Sequence, residues 1–177
     1  MRLGNERPRA GAATVMIRAA TPADLQAIGQ LGALLVRPHH DLDPARFIAA
    51  TPQTPRAYAS YLGTQMEEPS VLVLVAEQDG DILGYSYAGV EGTDYMALRG
   101  PAGMAHDLVV DPAHRGQGIG RLLLDATLAG LAAMGVPRVV LSTAERNEAA
   151  QRLFGCAGFR QTMVEMTRES RDEVAAT

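Results

Sequence analysis

The sequence predicts one α/β domain built on a mixed sheet. Three observations carry this. The chain has 177 residues, 47% of them apolar, and no linker interrupts it, which suits a single substantial core. Short β-branched runs alternate with stretches of helical spacing, and an apolar strand passes through a glycine-rich turn into a helix.

The elements follow in order. Val15–Ala19 is a β-branched run, and Thr21-Pro22-Ala23-Asp24 offers a cap, a proline at the first helical position and an acid in the first turn. Leu25, Ile28, Leu31, Leu34 and Leu35 then repeat at helical spacing. From Val36 to Pro55 four prolines and the run His39-His40-Asp41 read as loop with at most a helical turn, and Pro55–Glu68 reads as a second helix. Val71–Gln78 and Ile82–Val90 flank Asp79-Gly80, a hairpin signature. A looser Glu91–Gly103 leads into a strand at Ala105–Val110. The helix Ile119–Met134 stops at Gly135. A strand at Arg138–Thr143, a helix capped by Asn147 and running to about Cys156, and a last strand at Arg160–Thr167 complete the series.

The domain is expected over residues 15–168, with 1–14 a disordered leader and 169–177 a flexible tail; Met16 is an alternative initiator. All 16 basic residues are Arg against 20 acids, so the net charge is −4. That balance argues against a nucleic-acid partner, which requires a clustered cationic face. The single Cys156 cannot form an internal disulfide and is expected to be a buried, inert thiol. No run reaches the ~20 apolar residues of a membrane span, and a cytoplasmic location with no membrane partner is expected.

The segment Val109–Gly120 is the most informative. Residues without bulky side chains join strand to helix, so several backbone N–H groups can turn around an anion at the positive end of the helix dipole. The absence of lysine excludes a P-loop. Asp111–Arg115 stands between strand and glycines, which excludes a dinucleotide fingerprint. The spacing Arg115-x-x-Gly118-x-Gly120 resembles the coenzyme A pyrophosphate motif of the GNAT N-acetyltransferase superfamily. Asn147-x-x-Ala150-x-x-Leu153-Phe154-x-x-x-Gly158-Phe159 is similar to that family's later motif.

The resemblance implies a central, mixed, largely antiparallel sheet flanked by about four helices. It implies acetyl-coenzyme A as co-substrate, with no metal, and direct transfer of the acetyl group to a primary amine of a small molecule or protein N-terminus. Arg115, Gly116, Gln117, Gly118, Ile119 and Gly120 would hold the diphosphate. Leu108, Val109 and Val110 would offer backbone groups to the pantetheine arm, Asn147 would bind near its end, and the N–H of Val110 would stabilise the oxyanion. An amine of ordinary pKa near ~10 must lose a proton before it attacks; Asp107 and His106 are equal candidates for base or relay. Strand alternation allows only one of them to face the cleft, His106 sharing a face with Leu108 and Val110. A homodimer is a family-level expectation.

The sequence departs from the family at Phe154, where a tyrosine usually protonates the departing thiolate; water, Tyr85 or Tyr87 would have to substitute. A non-catalytic acyl-coenzyme A sensor is the alternative that Phe154 permits. His39-His40-Asp41-x-Asp43 lacks metal-ligand spacing and suits acceptor recognition or a solvated loop. Arg121, Arg146 and Arg152 are further candidates for the cofactor's phosphates.

Overall fold

The computed structural model describes residues 14–168; the expected leader, apart from Thr14, and the expected tail fall outside them. Five strands, β1 (Met16–Ala19), β2 (Val71–Gln78), β3 (Asp81–Glu91), β4 (Ala102–Val110) and β5 (Val139–Leu141), form one sheet in sequence order. The first three pairings are antiparallel and β4–β5 is parallel. Four helices accompany them: α1 (Leu25–Leu42), α2 (Thr54–Gln65), α3 (Ile119–Ala133) and α4 (Glu148–Cys156). None of the described helices is long and apolar enough to cross a membrane.

Because strand side chains alternate, β2 and β3 serve two cores at once. Val73, Val75, Tyr85 and Tyr87 meet Ile28 and Leu31 of α1 and Leu62 of α2 on one face. Leu74, Ala76 and Leu83 meet Ile119 and Leu123 of α3 on the other. The β2–β3 hairpin turns through Asp79 and Gly80, both at positive φ, as the dipeptide demands. The helices α1 and α2 approach closely because Gly29 lies against the Pro55 carbonyl and Gly32 against the Tyr58 ring, where a Cβ would overlap.

The structure corrects the sequence reading at three elements. First, α1 does not stop near Val36 but runs through Pro38 to Leu42. A proline removes one hydrogen bond from a helix, and here the last turn remains closed around it, with the N–H of Asp43 on the carbonyl of His39 at 3.1 Å. Second, the expected strand Arg160–Thr167 pairs with nothing among the described residues. Its β-prone Met163, Val164 and Met166 are exposed, and the segment is tied to the body by the ion pair between Glu165 and Arg46. Third, Glu91–Gly103 contains a small hairpin closed by reciprocal backbone bonds between Asp94 and Arg99, 2.8 and 2.9 Å, and braced by Arg99 on Glu91 at 2.7 Å. The thiol is corrected too: Cys156, at the end of α4, is exposed.

Candidate active site

The strands β4 and β5 stay paired only from Gly103↔Val139 to Ala105↔Leu141. Beyond Ala105 β4 continues for five residues while β5 has ended, and the two chains diverge. A cleft of about 100 Å3 occupies the gap. Leu35 and His39 of α1 stand at its one side, Leu124 and Thr127 of α3 and Phe154 of α4 at the other, with β4 between.

The backbone of β4 turns two N–H groups away from β3, one at Leu108, which lines the cleft, and one at Val110, beyond its lining. Asp111 donates its N–H to Leu83 of β3 at 2.8 Å, and Val109 lies opposite Tyr85. Alternation then directs the N–H of Val109 at β3 and those of Leu108 and Val110 away from it, toward the open side. The Val109 side chain is in the core. The carbonyl of Val110 shares the orientation of its N–H and accepts from Nε of Arg115 at 3.1 Å. Arg115 therefore pins the loop to the strand through one nitrogen, leaving its two terminal ones for a ligand.

After a short turn at Pro112–His114, which the Asp111 carboxylate caps by accepting from the Ala113 N–H at 2.9 Å, the chain enters the glycine loop. Gly116 and Gly118 adopt φ of +76° and +84°. Such values turn successive N–H groups to one side, and a side chain at either would strain the backbone. Gly118 caps α3, Ile119 is buried as the anchor, and Gly120 faces Val110 and Leu153. The N–H groups of Gly116 to Gly120 donate to no acceptor among the described residues. Five unpartnered donors at a fifteen-residue helix's positive end fit a diphosphate. Asn147 lines the cleft and caps α4, its Oδ1 accepting from the Ala150 N–H at 3.2 Å, and its side-chain NH2 has no acceptor among the described residues. Arg121, Arg146 and Arg152 hold Asp125, the Leu42 carbonyl and Glu148 respectively.

The register of β3 against β4 explains a placement that simple alternation missed. Tyr87 pairs with Asp107 and Ala88 with Ala105, so His106 is an extra residue, a β-bulge. The bulge resets the alternation, and both His106 and Asp107 reach the cleft. The His106 ring stacks on Tyr87 with centroids 4.7 Å apart, and its Nε2 lies 3.5 Å from Glu91. Asp107 Oδ2 accepts from the Tyr85 hydroxyl at 2.8 Å. Burial pushes the Asp107 carboxyl above the usual carboxylate range, opposed by the Tyr85 hydrogen bond and by the charges of His106 and His39.

Phe154 lines the cleft edge-on to Phe159, centroids 5.9 Å apart, and brings no hydroxyl. Tyr85 and Tyr87 both have their protons engaged, on Asp107 and on Gln65 Oε1 at 3.0 Å, and burial raises both phenols. The sequence reads His39 as loop. Its spacing of four from Leu35 and eight from Leu31 could have revealed it, since that places all three on one helical face.

Comparison with known proteins agrees with this geometry. The model of the acetyltransferase (GNAT) family matches residues 30–159. A mycothiol acetyltransferase from Thermobispora bispora is 38% identical over 96 residues, covering 52% of this chain and 31% of that protein. One from Sanguibacter keddieii is 32% identical over 125 residues, 69% of this chain and 39% of that protein. The chain thus spans about a third of the length of the curated relatives it matches. Among solved structures, an aminoglycoside N-acetyltransferase in complex with CoA superposes with a TM-score of 0.67 at 18% identity, over 94% of this chain and 99% of that one. A tetramutant of a Bacillus halodurans protein superposes at 0.72 with 26% identity, over 88% and 99%. The family model spans both motifs and the cleft, and the chain belongs to the GNAT acetyltransferase family.

Proposed function

We propose that the chain is an N-acetyltransferase that moves an acetyl group from acetyl-coenzyme A to a primary amine by direct attack in a ternary complex. The observation that carries this is the strand β4, which borders the gap left by β5 and runs on through Pro112–His114 into a loop whose five N–H groups, Gly116 to Gly120, donate to no acceptor among the described residues. Acetyl-coenzyme A, when bound, supplies an activated acyl carbon. The chain's residues do the rest. The loop and Arg115 bind the diphosphate, Leu108 and Asn147 orient the arm, and Val110 aims its N–H at the place where negative charge develops on oxygen. From the opposite side Asp107 and His106 form the β4 part of a proton path, with Asp107 as its negative centre drawing in an ammonium group.

The mycothiol acetyltransferase relatives make a mycothiol-type acceptor the first candidate in a panel of amines. Calorimetry with coenzyme A and thiol release against that panel test the reading. Micromolar binding with acceptor-dependent release is expected, and Arg115→Glu should weaken binding at least about tenfold, ~1.4 kcal/mol. A chain that ignores coenzyme A refutes it. Tight binding without release from any acceptor supports the sensor alternative, which the missing hydroxyl at Phe154 favours.

A further inference from the structure

The α1 side of the cleft carries one more titratable group, and its chemistry is constrained by its neighbours. Running α1 through Pro38 places His39 in the final turn, half-buried, with its ring on the cleft. Two contacts hold that ring. Its Nδ1 is 2.8 Å from the carbonyl oxygen of Leu35, and its plane meets Phe47 edge-on at 5.2 Å between centroids. A carbonyl oxygen has no proton to give, so Nδ1 carries the hydrogen and donates it. In the neutral ring the lone pair is then on Nε2, which has no hydrogen-bond partner among the described residues. The neighbouring His40 is committed elsewhere, Nδ1 on the Phe47 carbonyl at 2.8 Å.

The two β4 groups are less free. Tyr85 occupies Oδ2 of Asp107, while His106 stacks on Tyr87 and directs Nε2 toward Glu91. Resting on the acetyltransferase reading above, we propose that His39 is the group that takes the acceptor's proton, with Asp107 holding the resulting imidazolium by charge. In that step an N–H bond of the acceptor ammonium breaks and its proton bonds to Nε2. The nitrogen keeps the electron pair and becomes a neutral nucleophile; the positive charge passes to the ring and the proton later leaves to water. Histidine suits this because its ordinary titration straddles neutral pH. The charge of His39 acts on Asp107 of β4, on which His106 of β4 and Tyr85 of β3 also act and which acts in turn on Tyr58 of α2, and Arg46 lies 5.1 Å over the Phe47 ring that meets His39.

The test uses the full chain with 15N-labelled histidine. In NMR spectra His39 should show the Nδ1–H tautomer. With the fastest acceptor from the amine panel, His39→Gln and His39→Ala should lose ~10²–10⁴-fold in kcat/KM together with the acid limb of its pH profile. Their coenzyme A affinity should be unchanged by calorimetry, and added imidazole should restore part of the rate to His39→Ala. An Nε2–H tautomer, or variants that keep the wild-type pH profile and rate, overturns the proposal alone. A wild-type chain that binds no coenzyme A overturns the acetyltransferase reading and this inference with it.

Discussion

At Asp107 one carboxyl is asked to be both charged and buried. Desolvation disfavours the anion, and the single hydrogen bond from Tyr85 offsets only part of the cost. A folded-state pKa raised above the unfolded one means that the native chain binds the proton more readily. Stability from this group therefore falls as pH rises from the ordinary carboxylate range through the folded value. Asp107→Asn should accordingly raise Tm at pH 7, by a margin that shrinks toward acid pH in calorimetric scans. The same variant should lose ~10²–10⁴-fold in kcat/KM, because an amide neither attracts an ammonium nor steadies an imidazolium. Phe154 is the converse case, an apolar ring where a proton donor would be useful. Phe154→Tyr puts a hydroxyl into the cleft and should raise the turnover number roughly tenfold in thiol-release assays.

Among the elements, the strand β4, the loop after it and the start of α3 act as one device. The strand supplies N–H groups into the gap because β5 ends early, and the loop supplies them because Gly116 and Gly118 have positive φ. Alanine at 118 would have to adopt a left-handed conformation that disfavours a Cβ by about 1–2 kcal/mol. Nothing lies within 4 Å of that Cβ, so the cost is one of backbone conformation rather than collision. Gly118→Ala should therefore lower stability by ~1 kcal/mol in urea titrations and weaken coenzyme A binding about tenfold, as the N–H groups rotate away. Unchanged affinity would show that the loop does not cradle the diphosphate. The bulge at His106 belongs to the same device, since it turns Leu108 and Val110 toward the gap while keeping Val109 in the ladder.

The molecule as a whole depends on ties between parts distant in sequence. Arg18 of β1 donates to both oxygens of Asp24, 2.7 and 2.9 Å, and to Glu77 of β2 at 2.6 Å. The backbone N–H of Thr21 reaches Asp24 at 2.7 Å and its hydroxyl donates at 2.9 Å, so this buried carboxylate joins the sheet to the entry of α1. Its Arg18 partner holds the Asp24 carboxyl well below the usual range. A depressed folded pKa gives stability that is present above the unfolded value and is lost as pH falls below about 4. Asp24→Ala should cost about 3 kcal/mol at pH 7, since it takes from the partly buried Arg18 one of its two carboxylate partners and leaves the Thr21 N–H and hydroxyl without their acceptor. The deficit should diminish in acid, and a constant deficit in melts between pH 3 and 7 would contradict this account.

The local record sufficed for the hairpin at Asp79-Gly80, the capped entry at Thr21-Pro22, the glycine loop and its helix, and so for the family. Each depends on backbone preferences or on periodicity within a few residues. Three outcomes depended on partners far along the chain. The helix α1 runs past Pro38 with its end held from far along the chain, Arg146 donating to the Leu42 carbonyl at 3.1 Å, and so delivers His39 to the cleft. Arg160–Thr167 has the composition of a strand, but strand formation requires a ladder partner and none of the described residues supplies one. The side to which His106 turns was settled by its register against Ala88 and Tyr87, because one unpaired residue reverses every face that follows it. Sequence alone determined the glycine loop and its turn into α3, since the conformations of Gly116 and Gly118 are local. Which side chains meet at the reacting end was decided by tertiary pairing, since that meeting is a matter of register and helix length.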